Sequence, residues 1–254
     1  MPNIDAVSAF EDNYIWMLRG ARHAVAVDPG DAGPVLDYLE RHGLELAAIL
    51  VTHHHADHTG GIAALLAAHP VPVYGPWRDA PTGACRAVRE GDTFELAEIG
   101  ARFSVFDLPG HTRDHVGYLE DGAFFCGDTL FVCACGRLFE GTPRDALASI
   151  GKILALPPQT RLYCAHEYTL NSVRLARTLD PHNAALAALQ ADAEEKRAHH
   201  LPTVPSTVAQ ELATNPFCRL DDPAIRAAAE ALAGHPPATP LDVFITLRRW
   251  RDTL

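Results

Sequence analysis

The chain has 254 residues, 48% of them hydrophobic, and 21 basic against 32 acidic side chains give it a net charge of −11. That is ample for a buried core in one large domain or two smaller ones, and the acidic balance argues against non-specific nucleic-acid binding, which needs a basic footprint. No stretch approaches the roughly 18 unbroken apolar residues of a membrane-spanning helix, and the opening MPNIDAVSAFEDN lacks the basic start and apolar run of a secretory signal. The six cysteines form no CxxC pair, so buried free thiols in a reducing cytoplasm are expected.

In chain order, Ile4 to Phe10, Tyr14 to Leu18 and Ala24 to Val27 read as strands, the third stopped by Asp28-Pro29-Gly30. Pro34 to His42 reads as a short helix, with Pro near its start and Gly43 past its end. The apolar run Ala47 to Val51 is strand-like and ends in Thr52-His53-His54-His55-Ala56-Asp57-His58. A helix to about Ala68 follows, then a short strand from Val71 to Tyr74 and a loop over 75–92. Thr93 to Leu96 and Arg102 to Leu108 resemble paired strands, the second running into Pro109-Gly110-His111-Thr112. Val116 to Leu119 and Ala123 to Cys126 flank Asp121-Gly122, a hairpin signal, and lead into Gly127-Asp128-Thr129. After a Cys- and Gly-containing loop, Pro143 to Leu156 reads as a helix, and the strand Leu162 to Cys164 ends in Ala165-His166-Glu167.

From Tyr168 onward the texture is helical: Leu170 to Leu179, Ala184 to Ala198, Ser206 to Ala213, Pro223 to Ala233 and Pro240 to Thr253. Ser206 and Asp222 stand where N-caps are expected. The change divides the chain into 1–165 and 166–254.

The 52–58 stretch carries the chemistry. Alternate side chains of an extended segment share a face, so His53 and His55 can bind one ion while His54 points away. Asp57 and His58 fall where the chain turns into a helix and can serve a second ion nearby. Imidazole and carboxylate together suit zinc, iron or manganese. His111, Asp128 and His166 also terminate strand-like runs. One such residue is ordinarily a turn or cap. Four strand ends of this kind converge on one edge if the strands align.

These residues resemble a known family. THHHADH at 52–58, GHT at 110–112, GDT at 127–129 and AHEY at 165–168 are similar to the metal signature of the metallo-β-lactamase superfamily. NYIW near the start, CGRLFEGTP at 135–143, AHEYTLNS at 165–172, NPF at 215–217 and LRRWRD at 247–252 are similar to the hydroxyacylglutathione hydrolases, the second glyoxalases. The resemblance implies an α+β fold. A four-layer αββα sandwich over 1–165 would carry the catalytic metals, and a smaller all-α domain over 166–254 would bind the glutathione substrate. It implies His53, His55 and His111 as ligands of one metal, Asp57, His58 and His166 as ligands of the other, and Asp128 as the bridge. Asp57 and Asp128 are the expected catalytic carboxylates.

The implied cofactors are two divalent ions, zinc ahead of iron or manganese. Ions of this kind bring the pKa of a shared water down to about 7, so that hydroxide can attack a thioester carbonyl. The implied reaction turns S-D-lactoylglutathione and related thioesters into D-lactate or another 2-hydroxy acid and glutathione, the second step of methylglyoxal detoxification. A cytoplasmic monomer without nucleic-acid or membrane partners is expected. By the same resemblance Arg137, Phe139, Tyr168, Arg248 and Arg251 bind substrate. Arg248 and Arg251 are three apart on one helix face and can meet a carboxylate through charge-assisted bonds. Some family members carry Lys in place of Arg137 or Arg251, and Tyr in place of Phe139, so the contact geometry here departs from theirs. The alternative is a persulfide dioxygenase of the same superfamily, with one iron held by two His and one Asp, which typically lacks the long helical part.

Overall fold

The computed structural model describes residues 2–76 and 85–254. It divides into two compact units that interleave along the chain: 1–108, 114–127 and 163–166 in the first, and 109–113, 128–162 and 167–254 in the second.

The first unit is built on two sheets. β1 (Asn3–Ala9) pairs antiparallel with β2 (Asn13–Arg19), and β2 with β3 (His23–Val27). β4 (Glu45–Leu50), β5 (Val73–Gly75) and β6 (Cys85–Ala87) then add in parallel, giving the order β1-β2-β3-β4-β5-β6. The crossovers between parallel strands hold α1 (Ala32–His42), α2 (Ala56–Thr59) and α3 (Ile62–Ala68). The second sheet begins with β7 (Thr93–Leu96), β8 (Ala101–Asp107), β9 (Val116–Glu120) and β10 (Ala123–Gly127) as an antiparallel meander. A small hairpin, β11 (Leu130–Phe131) and β12 (Ala134–Cys135), follows; β13 (Arg161–Cys164) comes next, and β14 (Ser206–Thr207), like the hairpin, is made of residues of the second unit. The strand order of this sheet is β14-β13-β10-β9-β8-β7.

Both faces of the first sheet are covered, which is why β2, β3 and β4 read as nearly unbroken apolar runs rather than alternating ones. The period of two still sorts their side chains. Ile15 and Met17 of β2 join Ala24, Ala26, Ile49 and Val51 in a buried cluster with Val35, Leu39 and Leu65 from α1 and α3. Trp16 faces the other way. Its ring meets Tyr163 edge-on at 4.9 Å, and its indole N–H donates to the Cys164 carbonyl at 2.9 Å. The Tyr118 hydroxyl of β9 likewise donates to the Val51 carbonyl at 2.7 Å, and Tyr74 of β5 stacks on Phe94 of β7 at 4.1 Å. The two sheets therefore pack face to face, each fully buried large side chain contributing about 1.5–3 kcal/mol.

The second unit is mainly helical: α4 (Pro143–Leu154), α5 (Thr169–Leu179), α6 (Ala184–Ala198), α7 (Val208–Thr214), α8 (Pro223–Ala233) and α9 (Pro240–Arg251). Thr142 with Asp145 and Thr239 with Asp242 form capping boxes at α4 and α9, and Asp222 caps α8. A buried carboxyl ties the β11–β12 hairpin to these helices. Glu211 of α7 is fully buried and accepts from the Cys133 amide at 3.0 Å and from Asn215 Nδ2 at 2.9 Å. The same Asn215 amide donates to the carbonyls of Phe131 and Ala134.

Burial pushes Glu211 up to about 7, against hydrogen bonds from Ser206, Asn215 and the Cys133 amide. Its contribution to stability is therefore complete below about pH 4.5 and is lost as pH rises through 7. We expect the unfolding free energy attributable to this group to fall by on the order of 3 kcal/mol across that window. Chemical denaturation from pH 4.5 to 8 checks this: Glu211→Gln should flatten the slope, and an unchanged slope would remove Glu211 as its source.

The sequence-based elements differ from the observed ones where tertiary pairing decides. The helix expected after the 52–58 loop is two, because Gly60 and Gly61 sit where any side chain would collide with backbone at Gly30, Ala56 and residues 29–32. The expected 75–92 loop contains β6, three residues paired in parallel with β5, while the 77–84 part of that loop lies outside the described residues. Ser206 is not a helix cap: it pairs with Leu162, and Thr207 caps α7 instead, accepting from the Gln210 amide. The Cys- and Gly-containing loop carries the β11–β12 hairpin. All six cysteines are free; Cys126, Cys133, Cys135 and Cys164 are buried, and Cys85 and Cys218 half-buried.

Candidate metal centre

β3 and β4 run parallel, and the loops at their C-terminal ends meet. Asp28, just past β3, has a left-handed backbone with φ 54°, a conformation Asp tolerates better than most residues. Its Oδ1 accepts the Thr52 amide at 2.7 Å and its Oδ2 the Thr52 hydroxyl at 2.8 Å. The same Oδ2 lies 3.1 Å from His58 Nδ1. One buried carboxylate thus fixes both ends of the 52–58 loop. Within it, His53 Nε2 and His55 Nδ1 stand 3.1 Å apart, as expected of side chains on one extended face, while His54 is exposed. His115, just before β9, stacks on His53 with centroids 4.8 Å apart.

His166 reaches the same unit through β13. The Tyr14 amide donates to the Ala165 carbonyl at 2.7 Å, and Asn13 bridges to His166, so the β1–β2 turn lies against the end of β13. That turn supplies Asp12, whose Oδ1 is 2.8 Å from His166 Nδ1, and Asn13, whose Nδ2 donates to Asp57 Oδ2 at 3.0 Å. Asp57 Oδ2 in turn lies 3.4 Å from His58 Nε2 and 3.5 Å from His166 Nε2.

His111 and Asp128 belong to the second unit. His111 Nδ1 donates to the Arg137 carbonyl at 2.7 Å, leaving Nε2 3.4 Å from Asp128 Oδ2. Gly136 packs so closely on the Asp128 carbonyl that no side chain fits there.

These contacts decide the chemistry. A carbonyl or carboxylate oxygen beside Nδ1 can only accept, so Nδ1 carries the proton in neutral His111 and His166, and the 3.1 Å approach of the Asp28 carboxylate favours the same tautomer in His58. Each Nε2 then offers a lone pair, and each faces a carboxylate oxygen. Two lone pairs aimed at one another repel unless a cation lies between them. The side chains of Asp57, His58 and His166 offer one ligand atom each, all within 4.8 Å of one another. A carboxylate with two imidazoles, each with its far nitrogen tied to an outer oxygen, is a donor set that fits a divalent ion. The chain therefore binds divalent metal.

The residues expected at the substrate are all in the second unit. Arg137 is more than half exposed, and its Nε donates to Asp252 Oδ1 at 3.1 Å. Phe139 is exposed and presents its ring edge-on to His111 at 5.3 Å. Tyr168 meets Phe131 edge-on at 5.1 Å. Arg248 and Arg251 point inward: Arg248 is buried and donates to the Cys135 carbonyl at 2.7 Å and to Asp252 Oδ1 at 2.9 Å, and Arg251 donates to Ser172 Oγ at 3.0 Å.

Comparison with known proteins matches residues 10–182 to the metallo-β-lactamase superfamily model and residues 167–254 to the model of the hydroxyacylglutathione hydrolase C-terminus. The chain is 52% identical over 254 residues to the hydroxyacylglutathione hydrolase of Alkalilimnicola ehrlichii, covering 99% of each chain, and 47% identical to that of Nitrosomonas eutropha at the same coverage. The chain belongs to the hydroxyacylglutathione hydrolase family. Its sandwich also superposes on ETHE1 from Myxococcus xanthus with a TM-score of 0.64, at 24% identity over 85% of this chain and 84% of that one, a likeness of fold. TTHA1623, solved in a di-iron-bound form, superposes with a TM-score of 0.60 at 25% identity, over 85% of this chain and 99% of that one.

As a hydroxyacylglutathione hydrolase family member, the chain has the metallo-β-lactamase fold with an appended helical C-terminal region, and is a metal-dependent hydrolase. Sequence reasoning missed the residues that orient its histidines: Asp12, Asn13, Asp28 and Thr52. Asp28-Pro29-Gly30 read only as a strand stop, Asp12 carried no reading, and Asn13 entered only as the first residue of the NYIW motif. The one available signal was carboxylates at the ends of strands flanking the His-rich one.

Proposed function

We propose that this chain hydrolyses S-D-lactoylglutathione and related 2-hydroxyacyl thioesters, yielding the hydroxy acid and glutathione. The observation that carries the reading is the set of imidazole Nε2 atoms facing carboxylate oxygens while each Nδ1 is tied to an outer oxygen, in a family defined by this reaction. In this reading His53, His55 and His111 would hold one divalent ion, Asp57, His58 and His166 would hold a second, and Asp128 would serve as a ligand to both. Zinc is the metal proposed, although a relative solved with two irons supports a site of the same type taking iron.

Divalent ions there supply an acidified water and a positive charge for the carbonyl oxygen. The chain's own residues do the rest. Asp12, Asp28 and the Arg137 carbonyl hold the ring protons at Nδ1 and so aim Nε2 inward. Asp57 stays ionised. Asp128 supplies the negative charge that a ligand shared by both ions needs. The C–S bond breaks as the C–O bond forms, and the departing thiolate of glutathione needs little acid assistance. Arg137, Phe139, Tyr168, Arg248 and Arg251 make up the glutathione site, so that 1–165 carries six of the seven metal ligands together with Arg137 and Phe139, while 166–254 adds His166 and the remaining substrate contacts. The enzyme acts as a cytoplasmic monomer in this reading; no helix among the described residues is long and apolar enough to cross a membrane.

Elemental analysis paired with loss of thioester absorbance tests the reading. Close to two metals per chain and rapid loss of S-D-lactoylglutathione are expected. A single iron, an intact thioester and oxygen uptake with glutathione persulfide would move the chain to the dioxygenase reading.

A further inference from the structure

Asp252 is the C-cap of α9. A carboxylate is electrostatically unfavourable at a helix C-terminus, where the backbone dipole presents its negative end. Its side chain has another engagement. Asp252 Oδ1 accepts from Arg137 Nε at 3.1 Å and from Arg248 Nη2 at 2.9 Å, and the Asp252 carbonyl accepts from Arg137 Nη2 at 3.4 Å. Arg248 has no latitude: its other terminal nitrogen donates to the Cys135 carbonyl, and it is buried beside the Phe217 ring. Arg137 is the accessible partner, 54% exposed against 8% for Arg248.

A carboxylate bridging two guanidiniums has the chemistry of a ligand carboxylate meeting the same pair. We propose that Asp252 is an internal competitor that occupies Arg137 and is displaced from it by a carboxylate of the glutathione thioester. This rests on the reading above that Arg137 contacts the substrate. The pair can exchange partners because it is solvent-accessible. Exposed ion pairs are weakly held, so an incoming carboxylate faces a shallow well. Asp252 thereby loosens the binding of substrate and of product glutathione alike. Weaker binding of both lets product leave without a matching loss in the chemical step.

The test is Asp252→Asn, which keeps an acceptor oxygen but removes the charge, with Asp252→Ala as a second variant and thermal melts to establish that both fold. The Kd for glutathione by calorimetry, its product-inhibition constant and the KM for S-D-lactoylglutathione should all fall about two- to fivefold. The gain should disappear when Arg137→Ala is added, because the competition runs through that side chain. Unchanged or weaker glutathione binding in folded Asp252→Asn would overturn the proposal, as would a gain that survives Arg137→Ala. If the wild-type protein leaves S-D-lactoylglutathione intact, it is the proposed function that fails. If it hydrolyses the thioester and the variant does not bind tighter, only the role of Asp252 fails.

Discussion

Asp128→Ala should abolish metal binding and thioester hydrolysis together. Asp128 follows the last residue of β10, is almost fully buried and places Oδ2 3.4 Å from His111 Nε2. Gly127 before it has φ 48° and leaves no room for a side chain against Thr52 and His115, so the backbone that aims Asp128 is fixed. Alanine removes the negative charge that a bridging position must supply between two cations. A fall in kcat/KM of about 10³-fold or more, roughly 4 kcal/mol of transition-state stabilisation, is expected. Elemental analysis should show close to no bound metal in the same preparation. Asp128→Asn, of the same shape but neutral, should behave alike if charge is what matters. Full metal content and turnover in either variant would refute the assignment.

The second large effect is expected at Asp28, where two substitutions should separate coordination from folding. Asp28→Ala strips the Thr52 amide, the Thr52 hydroxyl and His58 Nδ1 of one acceptor in a buried site. Breaking such a pair typically costs about 3–5 kcal/mol of stability. It also puts alanine at a φ of 54°. Asp28→Asn keeps the left-handed tolerance and the shape. Its amide oxygen must face the Thr52 N–H, so its NH₂ faces His58 Nδ1. That forces His58 into the opposite tautomer, with the proton on Nε2 and no lone pair to offer. Asp28→Asn should therefore retain most of the fold, judged by thermal denaturation, yet lose about 10–100-fold in metal affinity. Metal titration that shows wild-type affinity in folded Asp28→Asn would rule out this tautomer control.

Local pattern carried much of the architecture. The Asp121-Gly122 hairpin stands with both residues at positive φ, and α6 and α8 run over the residues their periodicity and flanking residues indicate. These elements are set by short-range chemistry: turn residues, caps and apolar spacing. The elements that were missed, β6, β14 and the β11–β12 hairpin, are two or three residues long. None buries enough apolar surface to show a period, and each exists because a partner strand lies beside it.

The sequence by itself determined which atoms could take part in the chemistry. Seven imidazoles and carboxylates at strand ends define a donor set for divalent metal, and their spacing predicted that His53 and His55 share a face. Tertiary structure alone decided how those atoms are tuned and which arginine is accessible. Asp12 meets His166 only because the β1–β2 turn abuts the end of β13. Asp28 meets His58 only because β3 and β4 are parallel neighbours. Arg248, placed with Arg251 on one helix face by their spacing, is buried against Cys135 and Asp252, because the packing of α9 rather than its periodicity decides which side faces solvent. Hydrogen-bond partners far apart in sequence leave no local period, so the tautomer of each histidine and the engagement of each arginine are properties of the folded chain.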